Sequence, residues 1–511
     1  MPTSSGGRSR GPLIVVSNRE PYLHRRRSDG TIVPVPATGG VAVALDAFMR
    51  ERGGTWIAHG AGEADFDAAD ANGRVRVPPD APAYTLHRIW LTPEEERGYY
   101  LGFSNEGLWP LCHNVNVPAV FRVQDWAQYR AINTRFAEAI ASELTSPLTP
   151  VFMQDYHLAL AALELRKLRP SVRCALFWHI PWPHPERFQL CPWRRDILLG
   201  LLANDLLAFQ VERDRRNFLR CVRAELKFEV RDGDVISPER TTHAVAIPIG
   251  VDFDRIQRVA SEPGLLLERE RLRRDFRLDD PEISAIGIGV DRIDYTKGIP
   301  ERLAAIQRLL EKRPDLRSRF AFVQVAVPSR SRLASYAATE KRIDKQVAEI
   351  NMRYGRSGEH GPIRYRKTSM RLARLVALYK LADFCVVSSL HDGMNLVAKE
   401  FVAARDDLDG VLLLSENTGA AEELKQAVIM NPYDTEAFAD AIEQAIAMPA
   451  EERTGRMRTL RRTVAGHDVF LWASGILENL ERMDGRWRVW SAFPTTASRT
   501  GSRQFRSNVS R

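Results

Sequence analysis

At 511 residues the chain is too long for one ordinary hydrophobic core, so two large domains or more are expected. Hydrophobic residues make up 44% and charged residues 27%, the balance of a soluble globular protein. The net charge of +8 does not mark a nucleic-acid surface, because Arg8, Arg10, Arg499, Arg503, Arg506 and Arg511 supply six of those charges from tails without an acidic residue.

Residues 1–12 and 486–511 read as disordered tails, the second of them basic. The run Leu13 to Val16 is too short for a signal-peptide core. The longest apolar candidate, Ile197 to Val211, is broken by Asn204 and Asp205 and falls short of the roughly 18 residues of a membrane helix, so no membrane partner is expected. Cys112, Cys174, Cys191, Cys221 and Cys385 show no CxxC spacing and fit reduced, buried thiols, which points to the cytoplasm.

The first strand-like run, Leu13 to Ser17, ends in Asn18, Arg19, Glu20, Pro21 and Tyr22. Polar residues at the C-terminal end of a strand are where open α/β sheets contact ligands. A charged insert, His24 to Asp29, precedes the glycine pair Gly39 and Gly40, and Val41 to Met49 then has helical spacing. The pair would let backbone approach a ligand closely, but it does not match G-x-G-x-x-G, so a nicotinamide fingerprint is not supported. Thr92 to His113 carries Tyr99, Tyr100 and Trp109, aromatics that suit either a core or a carbohydrate pocket.

Phe152 to His157 and Ala175 to His184 each read as a buried strand ending in polar residues, among them Asp155 and His179. Further strands are expected at Leu206 to Phe209 and Ala244 to Ile249, and helices at Trp126 to Leu144 and Leu158 to Leu168. This alternation implies a mostly parallel sheet. The charged stretch Arg255 to Asp280 reads as a solvated helical connector. A second α/β series follows, with strands at Ala285 to Val290, Phe320 to Val327, Phe384 to Ser388 and Val411 to Ser415.

Arg292 and Lys297 stand on the loop after the first of those strands. They could clamp a diphosphate, the arginine through two nitrogens and the lysine as a point charge, or form an ordinary ion-pair loop. Arg330 is a similar candidate after the next strand. In His391 to Glu400 an Asp392-Gly393 turn leads to a helix expected to begin near Met394, whose first N–H groups suit an anion. Asp392 and Glu400 are better suited to sugar hydroxyls than to phosphate. A plain strand-turn-helix unit has the same local pattern.

Taken together in chain order, Asn18-Arg19, Gly39-Gly40, FSNEGLWP, QDYH, HIPWP, DRIDYTKG, VPSR, DGMNLVAKE and NPYD resemble the retaining, GT-B-fold glycosyltransferases of the trehalose-6-phosphate synthase family. The resemblance covers about residues 13 to 485. It implies two Rossmann-like domains with mostly parallel sheets facing a cleft: 13–252 binding an acceptor, 253–468 binding a nucleotide sugar, and a final helix at about 469–485 crossing back. It also implies that Arg292 and Lys297 hold the diphosphate of an activated glucose, that Leu396 and Val397 offer it backbone amides, and that Glu400 binds the ribose. Asp392, Gly40 and His179 are expected around the transferred glucose, beside Gly39 and Asn395. Arg19 and Arg330 should bind the phosphate of the acceptor, with Tyr100 and Trp109 closing on it and Asp155 accepting from its hydroxyls. Two cations and helix-terminus amides can meet the charge of the departing diphosphate without a metal, and the D-x-D strings at Asp65, Asp232 and Asp252 stand at no convincing strand end, so no metal ligand and no cofactor are expected. Family members are held to transfer by front-face attack of the acceptor hydroxyl, so no carboxylate nucleophile is expected.

The implied reaction is glucosyl transfer from a nucleotide-glucose, with UDP-glucose favoured, to glucose 6-phosphate. The sequence departs from the family pattern at Thr38, Gln154 and His59 and in the long basic loop after Arg19. The NREPY string also resembles glucosylglycerol-phosphate synthases, which keeps glycerol 3-phosphate open as acceptor. A non-catalytic, sugar-phosphate-sensing homologue is the alternative of another class, and intact Arg19, Arg292, Lys297, Asp392 and Glu400 argue against it. No pyridoxal-binding lysine context of a phosphorylase is found. The roughly 25 residues beyond the resemblance are too few for a fused phosphatase domain. Homo-oligomer formation is left open by the sequence.

Overall fold

A computed structural model describes residues 12–37, 40–355 and 361–483. Thr38, Gly39 and nearly all of both expected tails lie outside the described residues.

Two sheets organise the chain. The first has ten strands, in the spatial order Glu229–Arg231, Asp234–Ile236, Thr241–Ala246, Leu206–Phe209, Arg173–Trp178, Pro150–Gln154, Ile14–Arg19, Thr55–His59, Tyr84–Ile89 and Arg74–Val77. All neighbours from Thr241–Ala246 to Tyr84–Ile89 pair in parallel, and antiparallel strands close both edges. The second sheet, in the order Ile363–Arg366, Phe320–Val327, Ala285–Arg292, Phe384–Val387, Val411–Ser415 and Val428–Met430, is parallel throughout. Parallel strands covered by helices on both faces need apolar residues on both faces, which is why Pro150–Gln154 and Phe384–Val387 are buried along their whole length.

The strand order determines where ligands can enter. In the first sheet the chain leaves Ile14–Arg19 toward one edge and Pro150–Gln154 toward the other. In the second it does the same from Ala285–Arg292 and Phe384–Val387. A crevice opens outside the carboxyl ends of strands at such a switch. Arg19, Asp155, Arg292 and the His391 loop all stand there.

The last helix, Val469–Arg482, returns to the first sheet. Its Trp472 ring packs 5.6 Å from Phe152 and 5.1 Å from Phe177. The two passages of the chain between the sheets touch: Val469 N–H donates to Val251 O at 3.2 Å. A Cβ on Gly250 would lie 2.0 Å from His467 O, so only glycine permits this crossing.

Two segments differ from the sequence expectation. The stretch Arg255 to Asp280 is helical but not a solvated connector: Phe253–Ala260 and Gly264–Asp275 bury Ile256, Leu265 and Leu272 against the second sheet's helices. Its charged residues occupy only the outer face, an amphipathic pattern hidden by the density of arginine and glutamate. The charged insert after Arg19 is an antiparallel hairpin, Tyr22–Arg26 with Ile32–Pro36. Arg97–Leu108 is a π-helix, between a short helix capped by Thr92 and the helix Trp109–His113. Gly102 lets it lie against the helix Val123–Glu143, since a Cβ there would sit 2.4 Å from the Asp125 carboxylate.

Candidate active site

One end of the crevice is a basic and aromatic cluster. Arg19, at the end of its strand, donates from Nη2 to Tyr100 Oη at 3.1 Å. Arg330 sits 4.3 Å from the Trp109 ring centroid and 5.8 Å from that of Tyr100, while Arg292 lies 5.5 Å from Trp109. Arginines of the second sheet therefore reach aromatics carried by the first. Flat guanidinium groups stack on ring faces and keep their edges free for an oxyanion.

Two cations this close need a counter-charge, and Asp294 supplies it. Its fully buried carboxylate lies 3.5 Å from Arg292 and 3.6 Å from Arg330, and it accepts from Thr296 N at 3.0 Å and Tyr336 Oη at 3.3 Å. Burial pushes its pKa up, but Arg292 and Arg330 outweigh burial and hold it below the usual carboxylate range. Arg330 also donates to Tyr336 Oη at 2.6 Å and has a left-handed backbone at φ 52°. For Tyr100, burial raises the phenol pKa while Arg19 and Arg330 lower it, leaving it at about 7.

Asp155 lies beside this cluster. Its backbone is also left-handed, and its carboxylate accepts from Tyr156 N at 2.9 Å and His179 N at 3.2 Å. Burial pushes it up to about 7 despite those amides. The His179 ring is engaged at both nitrogens, with Gln154 Oε1 at 2.9 Å and Gln210 Nε2 at 3.4 Å. Burial pushes its pKa down to about 3, so the imidazole is neutral near pH 7.

The opposite wall is built from the second sheet. Lys297 Nζ donates to Asp392 Oδ2 at 2.5 Å, and Ser389 Oγ and Asn395 Nδ2 donate to the same oxygen at 3.1 and 3.2 Å. Burial raises the Asp392 pKa, but Lys297 prevails and brings it down to about 2. The helix begins at Leu396 rather than near Met394, because Asn395 takes the N-cap position and accepts from Ala398 N at 3.3 Å. Leu396 and Val397 thus supply the first helical N–H groups, which have no acceptor within the helix. One turn on, Glu400 accepts from Tyr379 Oη at 3.0 Å, and burial holds its carboxyl up at about 7.

The walls meet at Gly393, where a Cβ would lie 2.1 Å from His179 O, and at His391, whose Nδ1 is 2.7 Å from His113 O. Gly40 opens the helix Gly40–Arg52, while Gly39 is outside the described residues. Arg19, Tyr100, Trp109, Arg292 and Arg330 therefore form one cluster, and Lys297, Asp392 and Asn395 a second. Glu400 stands apart with Tyr379. Sequence reasoning missed Asp294, Tyr336, Ser389, Tyr379 and Gln210. Asp294 lies inside the DRIDYTKG motif and could have been noticed as the acid between two basic residues.

Two Rossmann-like sheets with such a cleft between their carboxyl ends are the GT-B glycosyltransferase fold. Comparison with known proteins agrees. The family model described as glycosyltransferase family 20 matches residues 11–482. A trehalose-6-phosphate synthase of Mycolicibacterium smegmatis is 40% identical over 477 residues, 92% of each chain. A Burkholderia xenovorans alpha,alpha-trehalose-phosphate synthase (UDP-forming), solved with glucose-6-phosphate, superposes with a TM-score of 0.83 at 30% identity, over 92% of this chain and 100% of that one. The E. coli structure bound with UDP-2-fluoro glucose gives 0.81 at 30% identity, over 93% and 99%. The chain belongs to glycosyltransferase family 20.

Proposed function

We propose that the protein transfers glucose from UDP-glucose to glucose 6-phosphate with retention, releasing UDP and trehalose 6-phosphate. One observation carries this reading: Arg19, Tyr100, Trp109 and Arg330 cluster at one end of the crevice with Arg292 beside Trp109, and Lys297, Asp392 and a helix N-terminus build the other wall. Two anion sites, one able to hold a sugar phosphate and the other a nucleotide diphosphate, are what this transfer requires. The relatives solved with glucose-6-phosphate and with UDP-2-fluoro glucose support the pairing.

In this reading the leaving diphosphate lies on Arg292, Lys297 and the amides of Leu396 and Val397. Charge that develops as the glycosidic C–O bond breaks meets fixed positive charge and an oriented helix end. Asp392, Asn395 and the backbone at Gly39 and Gly40 hold the transferred glucose, and Glu400 accepts from the ribose hydroxyls. Arg19 and Arg330 bind the acceptor phosphate, Tyr100 and Trp109 cover it, and Asp155 accepts from acceptor hydroxyls. The acceptor oxygen attacks the anomeric carbon from the face the diphosphate leaves, and its proton passes to a diphosphate oxygen. His179 is neutral with both nitrogens engaged, which suits positioning rather than proton transfer.

Five buried cysteines without a disulfide support a reducing compartment, the cytoplasm. Among the described residues, no helix is long and apolar enough to cross a membrane.

The test pairs UDP-, ADP- and GDP-glucose with glucose 6-phosphate and glycerol 3-phosphate and reads products by mass. UDP-glucose with glucose 6-phosphate is expected to give a disaccharide phosphate. Transfer to glycerol 3-phosphate alone would replace the acceptor, and no nucleotide release with any pair would contradict catalysis.

A further inference from the structure

A directed chain of hydrogen bonds runs from the crossover between the sheets to the carboxyl end of the strand Pro150–Gln154, where it ends on a donor unpaired among the described residues. The backbone N–H of Ile249 donates to Gln210 Oε1 at 3.0 Å. A peptide N–H can only donate, so this contact fixes which end of the Gln210 amide is oxygen. Gln210 Nε2 then donates to His179 Nδ1 at 3.4 Å. With Nδ1 accepting, the neutral ring carries its proton on Nε2 and donates to Gln154 Oε1 at 2.9 Å. Gln154 Nε2 is left over. Among the described residues it has no hydrogen-bond partner, and the residue is only 2% exposed.

Buried amide groups are almost always paired, so an orphan at the end of an otherwise satisfied chain marks where a ligand completes it. The polarity argument gives the orphan's chemistry: it is a donor and requires an acceptor. An uncharged amide suits a neutral hydroxyl, while the anionic groups of the substrates have their own arginines and lysine. Position favours the transferred sugar. Gln154 ends its strand beside Asp155, and His179, which holds the Gln154 amide, has its carbonyl against Gly393 of the Asp392 turn. The starting peptide is anchored from the same wall, since Lys399, next to Glu400, donates from Nζ to Ile249 O at 2.7 Å.

We propose that Gln154 Nε2 donates a hydrogen bond to a hydroxyl oxygen of the transferred glucose and so helps determine donor specificity. The inference rests on the donor-site reading above and extends it to a position where the sequence departs from the family pattern.

The test compares UDP-glucose with UDP by titration calorimetry in the wild type, Gln154→Glu and Gln154→Met. The glutamate keeps an acceptor for His179 and lacks the second N–H; the methionine lacks both groups. Both variants are expected to bind UDP-glucose about tenfold more weakly and UDP unchanged. Retained UDP binding also reports that the variant is folded. UDP-monodeoxyglucoses then locate the hydroxyl: the wild type should lose affinity for one of them, and the variants should lose nothing further there. Unchanged UDP-glucose affinity, parallel loss of UDP, or equal losses at every deoxy position in wild type and variants would overturn the role of Gln154 alone. A wild type that binds neither UDP nor UDP-glucose would contradict the donor site itself, and this inference with it.

Discussion

Lys297 is held against Asp392 by a 2.5 Å hydrogen-bonded ion pair, so the cation proposed for the diphosphate and the carboxylate proposed for the sugar position each other. Arg292, the second cation on this loop, contacts Asp294, Ser329 and the Trp109 face. Replacing either cation by alanine should lower turnover by about 10²–10³-fold, because fixed charge is lost where the leaving group develops its own. Arg292→Ala should leave the thermal melting point within a few degrees of wild type, since that side chain is partly exposed. Near-wild-type turnover of Arg292→Ala would remove it from the leaving-group site.

Asp294 makes a prediction about stability. Its folded pKa lies below the ordinary value, so its contribution is present above pH of about 4 and is lost as pH falls toward the folded pKa. Asp294→Asn leaves two buried or half-buried arginines without their shared counter-charge and should cost about 3 kcal/mol at pH 7. Denaturant unfolding as a function of pH checks this. The gap between wild type and variant should narrow below pH of about 4.

Tyr100 and the acceptor should be linked through pH. The neutral phenol can donate to a phosphate oxygen, whereas the phenolate repels the dianion and competes with it for Arg19 and Arg330. With the phenol pKa at about 7, affinity for glucose 6-phosphate should fall as pH rises from 7 to 9. The second phosphate ionisation, near pH 6, lies below that window. Tyr100→Phe should flatten the dependence, and calorimetric titration at several pH values decides it.

Glu400 gives the opposite slope on the donor side. Burial keeps its carboxyl at about 7, and the ionised form is the better acceptor for ribose hydroxyls. UDP affinity should therefore rise between pH 6 and 8 with release of a proton. Glu400→Gln should bind UDP more weakly at pH 8 and show no such rise.

Much of this architecture was legible in the sequence, for physical reasons that can be named. Apolar runs such as Leu13 to Ser17 and Phe384 to Ser388 are buried parallel strands, and the polar residues that end them stand at the two topological switch points. The motif residues Lys297, Asp392 and Asn395 meet because they stand on loops after two paired strands of one sheet, while Arg292 turns to Asp294 and the Trp109 face. What stayed hidden depends on contacts between distant segments. Asp294 pairs with Arg330 across two strand ends, and Gln210 reaches His179 from a neighbouring strand, with no local pattern to announce either. The π-helix at Arg97–Leu108 was not read from the sequence either; its Gly98 and Gly102 admit the helix Val123–Glu143.

The central claim is front-face transfer with retention between the two anion sites, and the configuration of the product tests it most directly. UDP-glucose labelled with ¹³C at the anomeric carbon, incubated with the protein and glucose 6-phosphate, should yield one UDP per disaccharide phosphate, with the label in an α,α-1,1 linkage by NMR. Intact-mass measurement of the protein during turnover should show no glucosyl adduct. A β-configured product, or a covalent glucosyl-protein that forms and decays at the rate of turnover, would contradict it.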